Sequence, residues 1–414
     1  ISDMGDDSET NGPTRTLHTA RDPRVAYNST NNEYLVVWIG DDGIDGDLQV
    51  YGQRLDGSTG AALGVNDFPI SDLGGEPFAP NQYIPQDLDI AYNPTADEYL
   101  VVWAGGDIQA PIVQGEYEVF GQRLDGATCS ELGENDFRIS DLGDDDETTD
   151  HIRSQFDARN PAVAYNPAAD EYLVVWEGAD DGTNESSSTL VQGEVEIFGQ
   201  RLVGSTAAEV GTNDFRITDM GPDGDTNYRG EEPAIVLNPD TGDYLVVFAG
   251  DDDTAALVEG EGEIFGQRLD GVTGLPIGAN DFRMSDMGNE GELDPAIRDD
   301  FDASEPRVTY DQQAGRFFVV WAGDDDRPPV VDGEFETYGQ QLAGGDGAEI
   351  GNNDIRLSDM GDDSEGVASA RRGQRAARAE VVYGSVSGKT LVAIAPMSPT
   401  RPLWMEKWKS SCNW

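Results

Sequence analysis

Apolar residues in this chain gather into short runs that return in a fixed order. Glu33-Tyr-Leu-Val-Val-Trp38 recurs as Glu98–Trp103, Glu171–Trp176, Asp243–Phe248 and, degraded, Arg316–Trp321. The aromatic residues closing these runs lie 65, 73, 72 and 73 residues apart. A fixed period of this kind is the signature of a repeat architecture. The third copy shows the module in full. Pro161–Asn166 is a short apolar strand closed by turn formers at Pro167–Asp170. Glu171–Trp176 is apolar at nearly every position, which predicts a strand covered on both faces. An acidic, glycine-containing loop leads to a third strand at Glu194–Leu202. Asp214–Asp219 then alternates apolar and polar, as an outer strand wetted on one side does. No segment carries helical periodicity. Four antiparallel strands per module, the inner ones covered, predict an all-β fold built from β-propeller blades.

The ends extend the pattern. Ile1-Ser-Asp-Met-Gly5 matches the end of a fourth strand, and after the fifth module closes at Leu357–Gly361 a degraded sixth begins with Glu380–Gly384 and Lys389–Ile394. With Pro402–Trp408 as a third strand, the N-terminal strand completes that blade. The expected architecture is a six-bladed β-propeller over 1–396, with blades at about 20–74, 85–143, 158–221, 232–288, 304–361 and 379–408, the last completed by 1–5. Residues 397–414 form an atypical tail. The alternative is an open five-unit array.

Charge changes the picture next. The formal net charge is -55, from 81 acidic and 26 basic residues, and the only lysines are Lys389, Lys407 and Lys409. Two carboxylates about 7 Å apart repel by about 0.6 kcal/mol in water, and many such pairs sum to a large self-repulsion. Near 1 M salt the screening length falls to about 3 Å and most of that cost disappears. The composition therefore points to a halophilic setting or to bound divalent cations. It argues against nucleic acid as a partner, and no apolar run reaches the roughly 20 residues of a membrane span. Cys129 and Cys412 make no disulfide framework.

In an up-and-down blade, loops between strands two and three lie at the same end as the connections between blades. Both classes are acidic here. Clustered carboxylates on turns suit calcium, which takes oxygen ligands in flexible geometry. The candidate ligands are Asp6, Asp7, Asp41, Asp42, Asp144, Asp145, Asp251, Asp252, Asp324, Asp325, Asp362 and Asp363; a solvated acidic surface is the plain alternative. No organic cofactor is expected. The aspartates ending each fourth strand (Asp3, Asp72, Asp141, Asp219, Asp286, Asp359) read as turn formers whose side chains bond backbone N–H groups. Trp38, Trp103, Trp176, Phe248 and Trp321, with Arg54, Arg123, Arg201 and Arg268, read as structural, the arginines bridging acidic groups. Gly-Glu-x-Glu opens four third strands, at Glu116, Glu194, Glu261 and Glu334. Paired carboxylates serve glycoside hydrolysis, but one active site does not need four copies. His18, His151, the loop Ala179–Gln192 and the cluster Arg371, Arg372, Arg375 and Arg378 break the repeat.

The pattern Val-Ala-Tyr-Asn, Glu-Tyr-Leu-Val-Val-Trp, Val-Phe-Gly-Gln-Arg-Leu-Asp-Gly, Asn-Asp-Phe-Arg-Ile-Ser-Asp resembles tandem repeats of secreted and cell-surface bacterial proteins over roughly residues 20–361. The resemblance implies a propeller-like, exported repeat domain and no particular reaction. Since the modules differ mainly in their loops, the expectation is a non-catalytic extracellular or cell-surface scaffold for adhesion or assembly, with other surface proteins, further copies of itself or glycans as partners. The alternative is a carbohydrate-binding or carbohydrate-active propeller enzyme.

Overall fold

The structure, a computed structural model, describes residues 1–2, 19–41, 48–72, 84–106, 117–142, 156–179, 190, 193–252, 261–287, 302–325, 334–359, 375–384 and 389–397. Every element among them is a β-strand. The first module comprises β1 (Ala20–Asn28), β2 (Glu33–Gly40), β3 (Gln49–Asp56) and β4 (Ala62–Pro69), and the second β5 (Gln86–Asn93), β6 (Glu98–Gly105), β7 (Glu118–Asp125) and β8 (Glu131–Arg138). The third holds β9 (Ala158–Asn166), β10 (Glu171–Gly178), β11 (Glu196–Val203) and β12 (Glu209–Arg216). The fourth holds β13 (Arg229–Leu237), β14 (Tyr244–Asp251), β15 (Glu263–Leu269) and β16 (Pro276–Arg283). The fifth holds β17 (Ala303–Asp311), β18 (Arg316–Gly323), β19 (Glu336–Ala343) and β20 (Glu349–Arg356), and β21 (Arg375–Gly384) and β22 (Lys389–Met397) follow. Each module is a four-stranded sheet in sequential order, and β21–β22 make a two-stranded one. Repeated antiparallel sheets of this kind fit a propeller-like repeat domain.

The chain divides into two compact units, Ile1–Gly193 with Ile197–Arg216, and Glu194–Glu196 with Ile217–Trp414. In the first unit the period-two alternation of β6 sends alternate side chains to opposite faces. Tyr99, Val101 and Trp103 pack with Leu35, Val37 and Ile39 of the first sheet. Leu100 and Val102 pack with Tyr172, Val174 and Trp176 of the third. In the second unit Leu245, Val247 and Ile264 meet Phe317, Val319 and Trp321, while Phe318 and Val320 meet Ala379 and, less deeply, Val381 and Val392. Burying each such side chain is worth about 1.5–3 kcal/mol, which is why the second strands carry no polar alternation. Close packing also dictates the glycine of the third strand. A Cβ on Gly121 would stand 2.9 Å from Ile139 Cδ1.

Two polar ties repeat between neighbouring modules. At one end of the sheets, Asn28 donates to the Gly126 carbonyl at 3.0 Å, Asn93 to Gly204 at 3.1 Å and Asn238 to Gly344 at 2.8 Å. At the other, the backbone N–H of Asp72 donates to Asp136 Oδ2 (2.7 Å), that of Asp141 to Asp214 (2.8 Å) and that of Asp219 to Asp281 (2.9 Å). The receiving aspartates sit at bulges in the fourth strand with φ of 46°, 45° and 42°.

These bulges correct the expected fourth strand. It occupies Glu209–Arg216 rather than Asp214–Asp219, because the register shifts between Arg201↔Val210 and Gly199↔Phe215 and the Asp214 N–H turns to the Gln200 side chain at 3.1 Å. They also give the terminal aspartates a further role. Asp72, Asp141 and Asp219 give their backbone N–H to the next module's carboxylate, and the side chain of Asp141 pairs with Arg138 at 3.0 Å. Ile1 and Ser2 form no strand, and the expected strand Pro402–Trp408 lies outside the described residues.

Candidate functional site

One end of every sheet gathers the start of strand one, the end of strand two and the start of strand three. There strand one breaks its ladder, at Arg21/Arg24, Gln86/Leu88, Val175/Glu177 opposite Ala162/Arg159, Glu231/Ala234 and Ser304/Arg307. The bulged residues are Asp22, Asp87, Asn160, Glu232 and Glu305, with φ between 42° and 55°. Four of them precede proline: Pro23, Pro161, Pro233 and Pro306. A residue before proline is pushed toward extended backbone, and a non-glycine at positive φ stores strain of order 1–3 kcal/mol. The bulge itself recurs in five modules and is architecture. Its side chain changes from Asp to Asn to Glu, and that variation is where chemistry can reside.

The two glutamates adjoin. Glu232 Oε2 accepts the backbone N–H of Glu305 at 2.6 Å. Glu305 Oε2 is shielded from solvent and meets no hydrogen-bond donor among the described residues. Arg307 Nε, two residues on, lies 3.6 Å from Glu380. Sequence reasoning passed over these positions because an acid before proline reads as a turn. Its recurrence in the first strands of three modules, at Asp22, Glu232 and Glu305, was the available signal.

The Gly-Glu-x-Glu carboxylates have other work. Glu118 Oε1 accepts the Leu142 N–H at 3.0 Å, Glu196 the Met220 N–H at 2.8 Å and Glu263 the Met287 N–H at 2.8 Å. The second oxygen of each accepts a hydroxyl, from Ser140, Thr218 and Ser285, as Glu336 does from Ser358. In the first module Gln49 replaces the glutamate and accepts from Ser71 at 2.7 Å. Burial pushes the Glu263 carboxyl well above the usual carboxylate range, against the pull of Ser285, the Met287 N–H and Arg283. These groups clasp strand three to the exit of strand four, and Glu194 Oε2 takes the Gly224 N–H at 2.9 Å.

Among the metal candidates, Asp41, Asp251, Asp252, Asp324 and Asp325 are buried. Asp252 accepts the Gly221 N–H at 3.1 Å. No three acids, histidines or cysteines among the described residues converge as a metal site needs. Asp6, Asp7, Asp42, Asp144, Asp145, Asp362 and Asp363 lie outside the described residues, as do His18, His151, Arg371, Arg372 and Cys412. Cys129 is a buried free thiol whose pKa burial pushes up to about 12. Trp38, Trp103, Trp176, Phe248 and Trp321 are all buried. Arg54, Arg123 and Arg201 each place Nη2 2.6 Å from Glu33, Glu98 and Glu171, and Arg268 lies 2.8 Å from Asp243. The fifth module reverses the charge, Arg316 donating to Gln341 at 2.6 Å. Asn28 is fully buried and committed to its turn.

No protein-family model matches the sequence, and no curated protein sequence does. Solved structures are similar at the level of the chain trace. An α-L-arabinofuranosidase from Fusarium graminearum, in complex with an iminosugar inhibitor, shares 12% identity over 92% of this chain and 93% of its own, with a TM-score of 0.46. Levansucrase from Bacillus subtilis shares 10% over 86% and 92%, with a TM-score of 0.44. A thermostable family-43 glycoside hydrolase shares 10% over 84% and 97%, with a TM-score of 0.39. The similar structures are carbohydrate-active enzymes, and that finding corrects the expectation of a non-catalytic scaffold for adhesion or assembly. All three TM-scores lie below 0.5, so the functional reading rests on this chain's own residues.

Proposed function

We propose that this chain is a carbohydrate-active protein whose acting carboxylates are Glu232 and Glu305. The observation that carries this is the contact between them: one carboxylate holds the backbone of the other, on strained bulges, and Glu305 Oε2 meets no donor among the described residues. Sugars present hydroxyl groups that donate to carboxylate oxygens, and glycoside cleavage requires one carboxyl to give a proton while a second acts as base or nucleophile. Elsewhere in the repeat the bulge carries Asp22, Asp87 or Asn160, so the glutamate pair belongs to one place. The test is a panel of oligosaccharides, with binding followed by calorimetry and cleavage by chromatography. At least one sugar is expected to bind or be cut. Glu305→Gln is expected to lower turnover by about 100-fold or more with melting unchanged. Activity untouched in Glu305→Gln, or a folded protein inert to the whole panel, overturns the reading.

The finer architecture we propose is the six-bladed β-propeller, with residues 1–5 as the exit of the last blade's fourth strand. Ile1-Ser-Asp-Met-Gly5 repeats the fourth-strand exits at 70–74, 139–143 and 357–361. The β21–β22 ladder also breaks between Ala376 and Ala379, as the first strands do. An extracellular or cell-surface location at high salt is proposed from the lysine-poor, acidic composition.

A further inference from the structure

A second break in the repeat lies in the first unit, at the same end of its sheets. The Arg159 guanidinium stacks 4.3 Å above the Tyr117 ring. Its Nη2 donates to Asp157 Oδ2 at 2.7 Å and its Nη1 to Gln86 Oε1 at 3.1 Å. Gln86 Nε2 donates in turn to the Tyr117 hydroxyl at 3.2 Å, and the Tyr117 N–H to Asp157 Oδ1 at 2.9 Å. The last bond recurs between the fourth and fifth modules, from the Gly262 N–H to Asp302, so it belongs to the fold. The other partners do not recur. Positions equivalent to Arg159 hold Arg21, Gln86, Glu231 and Ser304, and those equivalent to Tyr117 hold Leu48, Val195, Gly262 and Phe335.

The comparison with Arg21 is informative. Arg21 is neutralised by its own bulge neighbour, Asp22, at 2.6 Å. In the third module that neighbour is Asn160. Arg159 thus lacks an acid at the bulge itself and pairs instead with Asp157, is clamped by the Tyr117 ring and two side chains, and is still about a third exposed at its side chain. A guanidinium carries about five N–H donors in a planar fork, and the two bonds above leave donors over. A fixed, partly exposed fork of that kind matches a planar carboxylate and loses little entropy on binding it.

We propose that Arg159 anchors the carboxylate of an acidic sugar, a uronate residue within an oligosaccharide. The net charge of -55 does not forbid this, because at about 1 M salt only charges in direct contact are felt. The proposal rests on the carbohydrate reading and concerns a sugar contact of the first unit by itself. The experiment titrates the full chain at about 1 M NaCl with a galacturonate trisaccharide and with the neutral galactose trisaccharide of the same linkage. The uronate is expected to bind about tenfold more tightly or better, the worth of a charge-assisted fork. Arg159→Gln is expected to erase that advantage while leaving neutral binding in place. Arg159→Lys, which keeps the charge near Asp157 but loses the fork, is expected to erase most of it, and serves if the glutamine variant does not fold. Equal binding of the two sugars, or an advantage that survives both substitutions, overturns the proposal and leaves the carbohydrate reading standing. Binding of neither sugar overturns the proposal, and an inert oligosaccharide panel overturns the carbohydrate reading as well.

Discussion

Replacing Glu263 with glutamine sets two energies of opposite sign against each other. The carboxylate is fully buried, takes the Ser285 hydroxyl and the Met287 N–H, and has Arg283 Nη1 at 3.9 Å. The first module already carries the amide, since Gln49 takes the Ser71 hydroxyl at 2.7 Å. Glu263→Gln therefore keeps the volume and the hydroxyl contact. What it loses is the second acceptor, so the Met287 N–H faces an amide nitrogen. A buried N–H left without an acceptor costs about 1–3 kcal/mol. The opposing energy depends on pH. Burial raises the folded pKa of Glu263 above its ordinary 4.5, so the folded state binds the proton more tightly than the unfolded one. The stability this contributes is complete below about pH 4.5 and is lost as pH rises toward the folded pKa. Glutamine has no such loss. The variant is thus expected to be about 1–3 kcal/mol less stable than the parent near pH 5, with the gap closing as pH rises further above the ordinary 4.5. Urea unfolding of both proteins in about 1 M NaCl, read on the transition of the second unit, measures the difference, and the titration of all other carboxylates cancels in it. A gap that stays constant, or that widens with pH, refutes the argument.

Two further perturbations probe the repeat. Asp214→Ala removes the acceptor for the Asp141 N–H and leaves alanine at φ 45°; a loss of about 2–4 kcal/mol is expected, whereas Asp214→Asn, which tolerates that φ and keeps an acceptor oxygen, should stay within about 1 kcal/mol in the same unfolding assay. A double-mutant cycle on Glu171 and Arg201, where Nε and Nη2 both reach Oε2 at 2.9 and 2.6 Å, is expected to give a coupling of about 1–2 kcal/mol; a value below about 0.5 kcal/mol would class the pair with ordinary surface ion pairs.

The second and third strands were legible because both their faces are covered, which writes an unbroken apolar run into the sequence. The fourth strand was misplaced because Asn213-Asp214-Phe215-Arg216 alternates smoothly, while the chain at Asp214 turns through positive φ. Alternation records which side chains are wet, and it does not register one residue slipped out of the ladder. The same blindness hid Glu232 and Glu305. Their importance lies in a contact 73 residues apart in the chain, and an acid before proline carries no mark of it. The clasp of Glu118 by Ser140 was equally out of reach, although both residues recur in step. Repetition identified them as shared parts and could not say which atoms they join.

The aspartate ties at the fourth-strand bulges all point one way, each bulge carboxylate receiving an amide from the module before it. Loss of a leading module strands only a carboxylate, which water solvates at little expense. Loss of a trailing module strands an amide hydrogen that water must reach to satisfy. Taken by themselves, these bulge ties make a missing front module cheaper than a missing back one.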